Sequence, residues 1–156
     1  KLIGSTYFSS NSKLSSKSLN DENVFLEQIS ANKVSSSLDL IDRLDEWAVE
    51  KQLHFKYNDG KTATRQYRFD NDKNTLLCST TSKGEISFRL GELNKILSTE
   101  EYEDLFTFLE TTFGNTIFAK AKDEEAGPQF ASILVSNITR TELNKLLEKF
   151  EDIFEI

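Results

Sequence analysis

The chain is poor in the residues that most often build catalytic or metal centres. Its 156 residues include one His, one Cys, one Pro and no Met. A lone Cys78 excludes an internal disulfide framework and favours a reducing compartment, so a cytoplasmic location is expected. One His and one Cys are too few for a Cys/His zinc site within the chain, and no metal centre is expected. The lack of Met reaches the first residue, which implies that Lys1 is not the natural start. A processed product or a piece of a longer protein is expected. No run of 18 or more apolar residues occurs, so no membrane-spanning helix is predicted. No secretory signal of basic, apolar and small-residue regions stands at the N-terminus either.

What is present fits a water-soluble domain. Hydrophobic residues make up 37% and charged residues 29%, which excludes a fibrous or wholly disordered chain. Twelve Phe residues point to a core packed largely by aromatic rings. The length is near the commonest size of a single domain and allows a substantial core. The net charge of −7 is unevenly spread: +3 over residues 1–20, −5 over 21–52, +3 over 53–90 and −8 over 91–156. The basic middle coincides with the predicted strands and the acidic segments with the predicted helices, a hint about partners rather than about fold.

Seven of the first twenty residues are Ser, and none of that stretch carries apolar periodicity. Residues 1–19 therefore read as a flexible linker or tail, and residues 20–156 as one folded domain. A short helix is expected over 21–31, with Phe25, Leu26 and Ile29 on one side. A second, over 37–52, is marked by Leu40, Ile41, Leu44, Trp47 and Ala48 at three- and four-residue steps. The period then changes to two. Leu53, Phe55 and Tyr57 alternate with His54, Lys56 and Asn58, followed by a predicted tight turn at Asn58-Asp59-Gly60-Lys61 in which Gly60 supplies a positive φ. Further strands are expected over 63–69, 75–80 and 85–90, joined by Asp70-Asn71-Asp72-Lys73-Asn74 and Thr81-Ser82-Lys83-Gly84. Connections this short make the four strands an antiparallel meander.

Helical spacing returns at Leu93, Ile96 and Leu97. Ser98-Thr99-Glu100-Glu101 is a capping box that opens a helix with Tyr102, Leu105, Phe106, Leu109 and Phe113 on one face, stopped at Gly114. Strands are predicted over 116–121 and 130–136, around the acidic loop 123–128. A second capping box, Thr139-Arg140-Thr141-Glu142, starts a final helix striped by Leu143, Leu146, Leu147, Phe150 and Phe154. Asn137-Ile138-Thr139 also matches a glycosylation triplet, but Thr139 reads better as the helix cap. The expected fold is α+β: a meander of about four strands plus a two-strand hairpin, packed against helices in a two-layer sandwich.

Motifs of known chemistry fail on inspection. Asp70-Asn71-Asp72-Lys73-Asn74 imitates the start of a calcium loop, yet Thr75 stands where Gly is needed and Thr81 where a bidentate Glu is needed. Gly60-Lys61-Thr62 matches the end of a phosphate loop, yet Phe55 occupies the earlier Gly position and no helix follows. Neither a Gly-x-Gly-x-x-Gly run nor a Gly-x-Ser-x-Gly elbow occurs. Ser10-Asn11-Ser12-Lys13 has Ser-x-x-Lys spacing but lies in the tail, where no shell would hold it. His54 and Cys78 would form a dyad only on one face of neighbouring strands; His54 reads as solvent-facing and Cys78 as a small core residue. No cofactor is expected, and nothing argues for an enzyme.

Two binding readings follow. The first is a noncatalytic protein-interaction domain of adaptor, chaperone, immunity or inhibitor type, with a protein partner or a second copy as ligand. Phe108, Phe118, Ile153 and Ile156 lie beyond the main helical stripes and are its candidate interface residues. The element order (helix, three or more strands, helix, two strands, helix) is similar to that of small acidic secretion chaperones, a resemblance of architecture without shared motifs. The second reading places nucleic acid on the sheet, held by Lys56, Arg65, Arg68 and Arg89 among Tyr57, Tyr67 and Phe69. Alternation assigns the aromatics to the core and the basic residues to the solvent side, and the overall acidity opposes phosphate at long range.

Overall fold

The structure, a computed structural model, describes residues 20–32, 38–70, 73–114 and 130–156. Among them, five α-helices accompany one five-stranded antiparallel sheet in a two-layer α+β arrangement. The chain runs α1 (Glu22–Ala31), α2 (Leu38–Glu50), β1 (His54–Tyr57), β2 (Thr64–Phe69), β3 (Thr75–Thr81), β4 (Glu85–Phe88), α3 (Leu90–Ile96), α4 (Thr99–Phe113), β5 (Ala131–Leu134) and α5 (Arg140–Phe154). A 3₁₀ turn, Val135–Asn137, links β5 to α5. The expected strand over 116–121 and the loop 123–128 lie outside the described residues, as does the tail 1–19.

Local chemistry explains where the helices begin and end. Asp21 caps α1 by accepting a hydrogen bond from the Val24 amide. Both capping boxes form: Ser98 with Glu101 opens α4, and Thr139 with Glu142 opens α5. At the end of α2 the amide of Leu53 donates to Ala48 and that of Gln52 to Val49, a paired closure around Gln52 at φ 62°. Leu90 is the first residue of α3 and not the last of a strand, so β4 is shorter than its alternation implied. Likewise, β5 stops at Leu134, because Val135–Asn137 turns back on itself through an Ile138-to-Val135 hydrogen bond.

The strands lie in the order β1-β2-β3-β4-β5, each antiparallel to its neighbour. Pairing Phe55 with Tyr67, Tyr67 with Cys78, Thr80 with Ile86 and Ile86 with Ile133 defines one face. His54, Lys56, Gln66, Arg68, Ser79, Ser87 and Ser132 share the opposite one. A register shift between Tyr67 and Arg68 leaves Leu77 as the extra residue of β3, and Leu76, Leu77 and Cys78 are all buried there.

The loop after β1 differs from the expected two-residue turn. Gly60 has no positive φ. Instead the Asn58 side chain organises the loop, donating to the Thr62 carbonyl and accepting from the Thr64 amide, both at 2.8 Å. Helix α1 clips onto these loops through amide side chains. Gln28 accepts from the Ala63 amide and the Ser82 hydroxyl and donates to the Lys61 carbonyl, while Asn20 donates to Gly60 and Asn32 to Ser82. Loop groups without ladder partners are thereby satisfied.

Three of the helical stripes bury largely as their spacing predicts, whereas in α1 Phe25 and Ile29 are buried and Leu26, expected beside them, is exposed. Ile41, Leu44, Trp47 and Ala48 of α2, Leu105, Phe106 and Leu109 of α4, and Leu143, Leu146, Leu147 and Phe150 of α5 join one core with the sheet's inner face. Trp47 packs on Phe150 at 6.2 Å between ring centres, and its indole N–H donates to Glu151.

Candidate functional site

The densest chemistry in the fold is a charge cluster between α2 and the sheet. Asp45 follows Ile41 by four residues and precedes Ala48 by three, so it projects from the apolar side of α2. Arg65 pairs with Tyr57 across β1 and β2 and stands on the inner face with Tyr67. The Arg65 Nη1 and the Tyr67 hydroxyl both donate to the Asp45 carboxylate, each at 2.5 Å. Arg65 Nε donates to the Tyr57 hydroxyl at 3.0 Å, and Thr80 donates to the Tyr67 hydroxyl at 2.9 Å. The guanidinium lies 4.5 Å from the Phe25 ring centre and 5.1 Å from that of Phe55. Glu22 completes the ring of charge at 3.8 Å.

Burial and pairing oppose each other in this cluster. Burial lifts the Asp45 carboxyl above its ordinary value, against the pull of the Tyr67 hydroxyl and the Arg65 charge. For Arg65, burial alone would lower the pKa, and the Asp45 carboxylate together with Tyr67 and Tyr57 more than offsets it, holding the guanidinium above its ordinary value. Tyr67 is pushed well up by burial and by the adjacent Asp45 charge. Every polar group of the cluster thus has an internal partner. These contacts join α2 to the sheet.

The expected separation of His54 from Cys78 is found. His54 is exposed on the outer face, whereas Cys78 lies fully buried on the inner one with β2 between them. Burial pushes the Cys78 thiol far up. Among the described residues no group of His, Cys, Asp and Glu is placed to hold a metal ion, and no helix is long and apolar enough to cross a membrane.

An open groove of about 400 Å³ lies where the end of α5 meets β2, β3 and the α3–α4 junction. Phe69, Ile96, Leu97, Ile153 and Phe154 form its apolar walls, all half-buried against the core. Lys73, Glu101 and Glu155 add charge along it. No family model, no curated protein and no solved structure matches this chain. The site must therefore be read from its own residues.

The candidate interface residues separate on this geometry. Ile153 lines the groove. Phe108 stands on the α4–α5 seam, edge-on to Phe113 and beneath the Lys149 ammonium at 5.5 Å, beside a shallower hollow. Ile156 is half-buried against the core, and its amide closes onto Glu151. Phe118 lies outside the described residues. Of the basic residues, Lys56 and Arg68 do share the outer face, with Arg89 exposed just past β4 and paired to Glu92. Arg68 is held below its ordinary value by burial and by the nearby Arg89 charge. Arg65 does not belong with them, because strand parity turns it inward with Tyr67, where only 4% of it is exposed. Spacing alone did not pick out Phe69, Ile96, Leu97 and Phe154 as a surface, since three separate segments converge to make it.

Proposed function

We propose that the chain is a noncatalytic protein-interaction domain that binds a segment of another protein in the groove between α3 and the end of α5. The observation that carries this reading is the convergence of five apolar side chains on one open cleft. Isolated exposed apolar residues such as Val49 and Leu26 are ordinary, whereas half-buried apolar side chains from three segments gathered on one cleft with polar groups between them suit a contact surface. The fully engaged state of the Asp45–Arg65–Tyr67 cluster supports the same reading, since it leaves the cluster as scaffold. Selection of a displayed random-peptide library on the folded chain tests it. Enrichment of peptides carrying two or more large apolar residues is expected, and a library that yields no binder overturns the reading.

The second reading keeps nucleic acid on the outer sheet face, favoured by Lys56 and Arg68 sharing that face and by the Arg89 charge near Arg68, although Gln66, Ser79 and Ser87 at its centre are buried. Arg65 no longer belongs to it. Titration of labelled single-stranded DNA at low salt is its test, because phosphate contacts are strongest there. Absence of binding under those conditions removes it.

A further inference from the structure

We infer that the occupant of the groove is a basic amphipathic segment, in which Leu- or Phe-like anchors are flanked by Lys or Arg. The inference rests on the interaction reading and adds the partner's chemistry to it. Two carboxylates, Glu101 and Glu155, line the groove against the single ammonium of Lys73. The last turn of α5 holds no basic residue, although the negative end of a helix is stabilised by cations. Asp152 and Glu155 instead add negative charge at that end, Glu155 within the groove and Asp152 in the neighbouring hollow beside Lys145 and Lys149; both are exposed, and neither forms an ion pair among the described residues. The described residues 91–114 and 130–156, which supply most of α3 and all of α4 and α5, carry −7, eleven acidic against four basic side chains, and so share that sign. A cationic segment entering here would meet attractive potential at long range and a favourable helix end on contact. An acidic segment would meet repulsion in both places. The apolar walls hold the anchors, and the charge decides which anchors are admitted.

Two short labelled peptides with the same Leu and Phe pattern, one bearing Lys at the intervening positions and the other Glu, provide the test by fluorescence anisotropy. The Lys peptide is expected to bind about tenfold more tightly at low salt, an advantage that shrinks at physiological salt. In the Glu101→Gln/Asp152→Asn/Glu155→Gln variant most of that preference should vanish, while the N-terminal cap of α4 is kept because Gln also serves in a capping box. Equal binding of both peptides, lost on Ile153→Asp, would overturn the charge inference and leave the interaction reading standing. A Lys preference that survives the triple variant would overturn it as well, by placing the attraction elsewhere. Failure of both peptides, together with an empty library selection, would remove the inference and the reading it rests on.

Discussion

Replacing Asp45 by Ala is expected to destabilise the fold by about 3–5 kcal/mol, nearer the lower figure because the Asp45 side chain keeps 22% of its surface exposed. The change leaves the buried Arg65 guanidinium with Tyr57 and the aromatic rings of Phe25 and Phe55, and among the described residues with only the mostly exposed Glu22 at 3.8 Å as a counter-charge. Tyr67 loses the acceptor of its hydroxyl at the same time. An orphaned buried charge is costly where a missing pair is not. The double variant Asp45→Ala/Arg65→Met should therefore recover a large part of the loss, since the Met stem fills space without a charge. Urea unfolding of the wild type, both single variants and the double variant measures the coupling. A cost below about 1 kcal/mol for Asp45→Ala would class the pair with exposed salt bridges and contradict its role in joining α2 to the sheet.

Ile153→Asp is expected to weaken binding of a library-selected peptide at least about a hundredfold, the scale of an anchor lost from an interface centre. Ile153 is half-buried, so some stability will be lost with it. The unfolding midpoint must be measured beside the affinity for that reason. Ile96→Asp, in the same groove but on a different helix, should give the same loss of binding. Two folded variants that bind as well as the wild type would place the contact elsewhere.

Much of the fold was legible because its signals are local. Capping boxes at Ser98 and Thr139 and the stripes of α2, α4 and α5 each act within a few residues, and the structure reproduces them. The turn at Gly60 was misread, since the loop is governed by the Asn58 side chain and by contacts to Asn20 and Gln28 some 30 to 40 residues away in sequence. The charge cluster was readable in principle. Asp45 stands on an apolar helical stripe, and Arg65 has the same strand parity as Tyr67 and Phe69, so position alone puts an acid and a base on the buried side. Reading basic residues as outward by type obscured that parity. The groove had no local signal at all. Phe69, Ile96 and Ile153 become neighbours only when β2, α3 and α5 meet, and each looks like a plain core residue within its own segment.

The most direct measurement is a map of backbone amide chemical shifts on titrating the folded chain with a library-selected peptide. The largest changes are expected at Phe69, Ile96, Leu97, Ile153 and Phe154, with the outer sheet face around Lys56, Arg68 and Ser87 unmoved. Changes centred on that outer face, with the groove residues silent, would contradict binding in the groove.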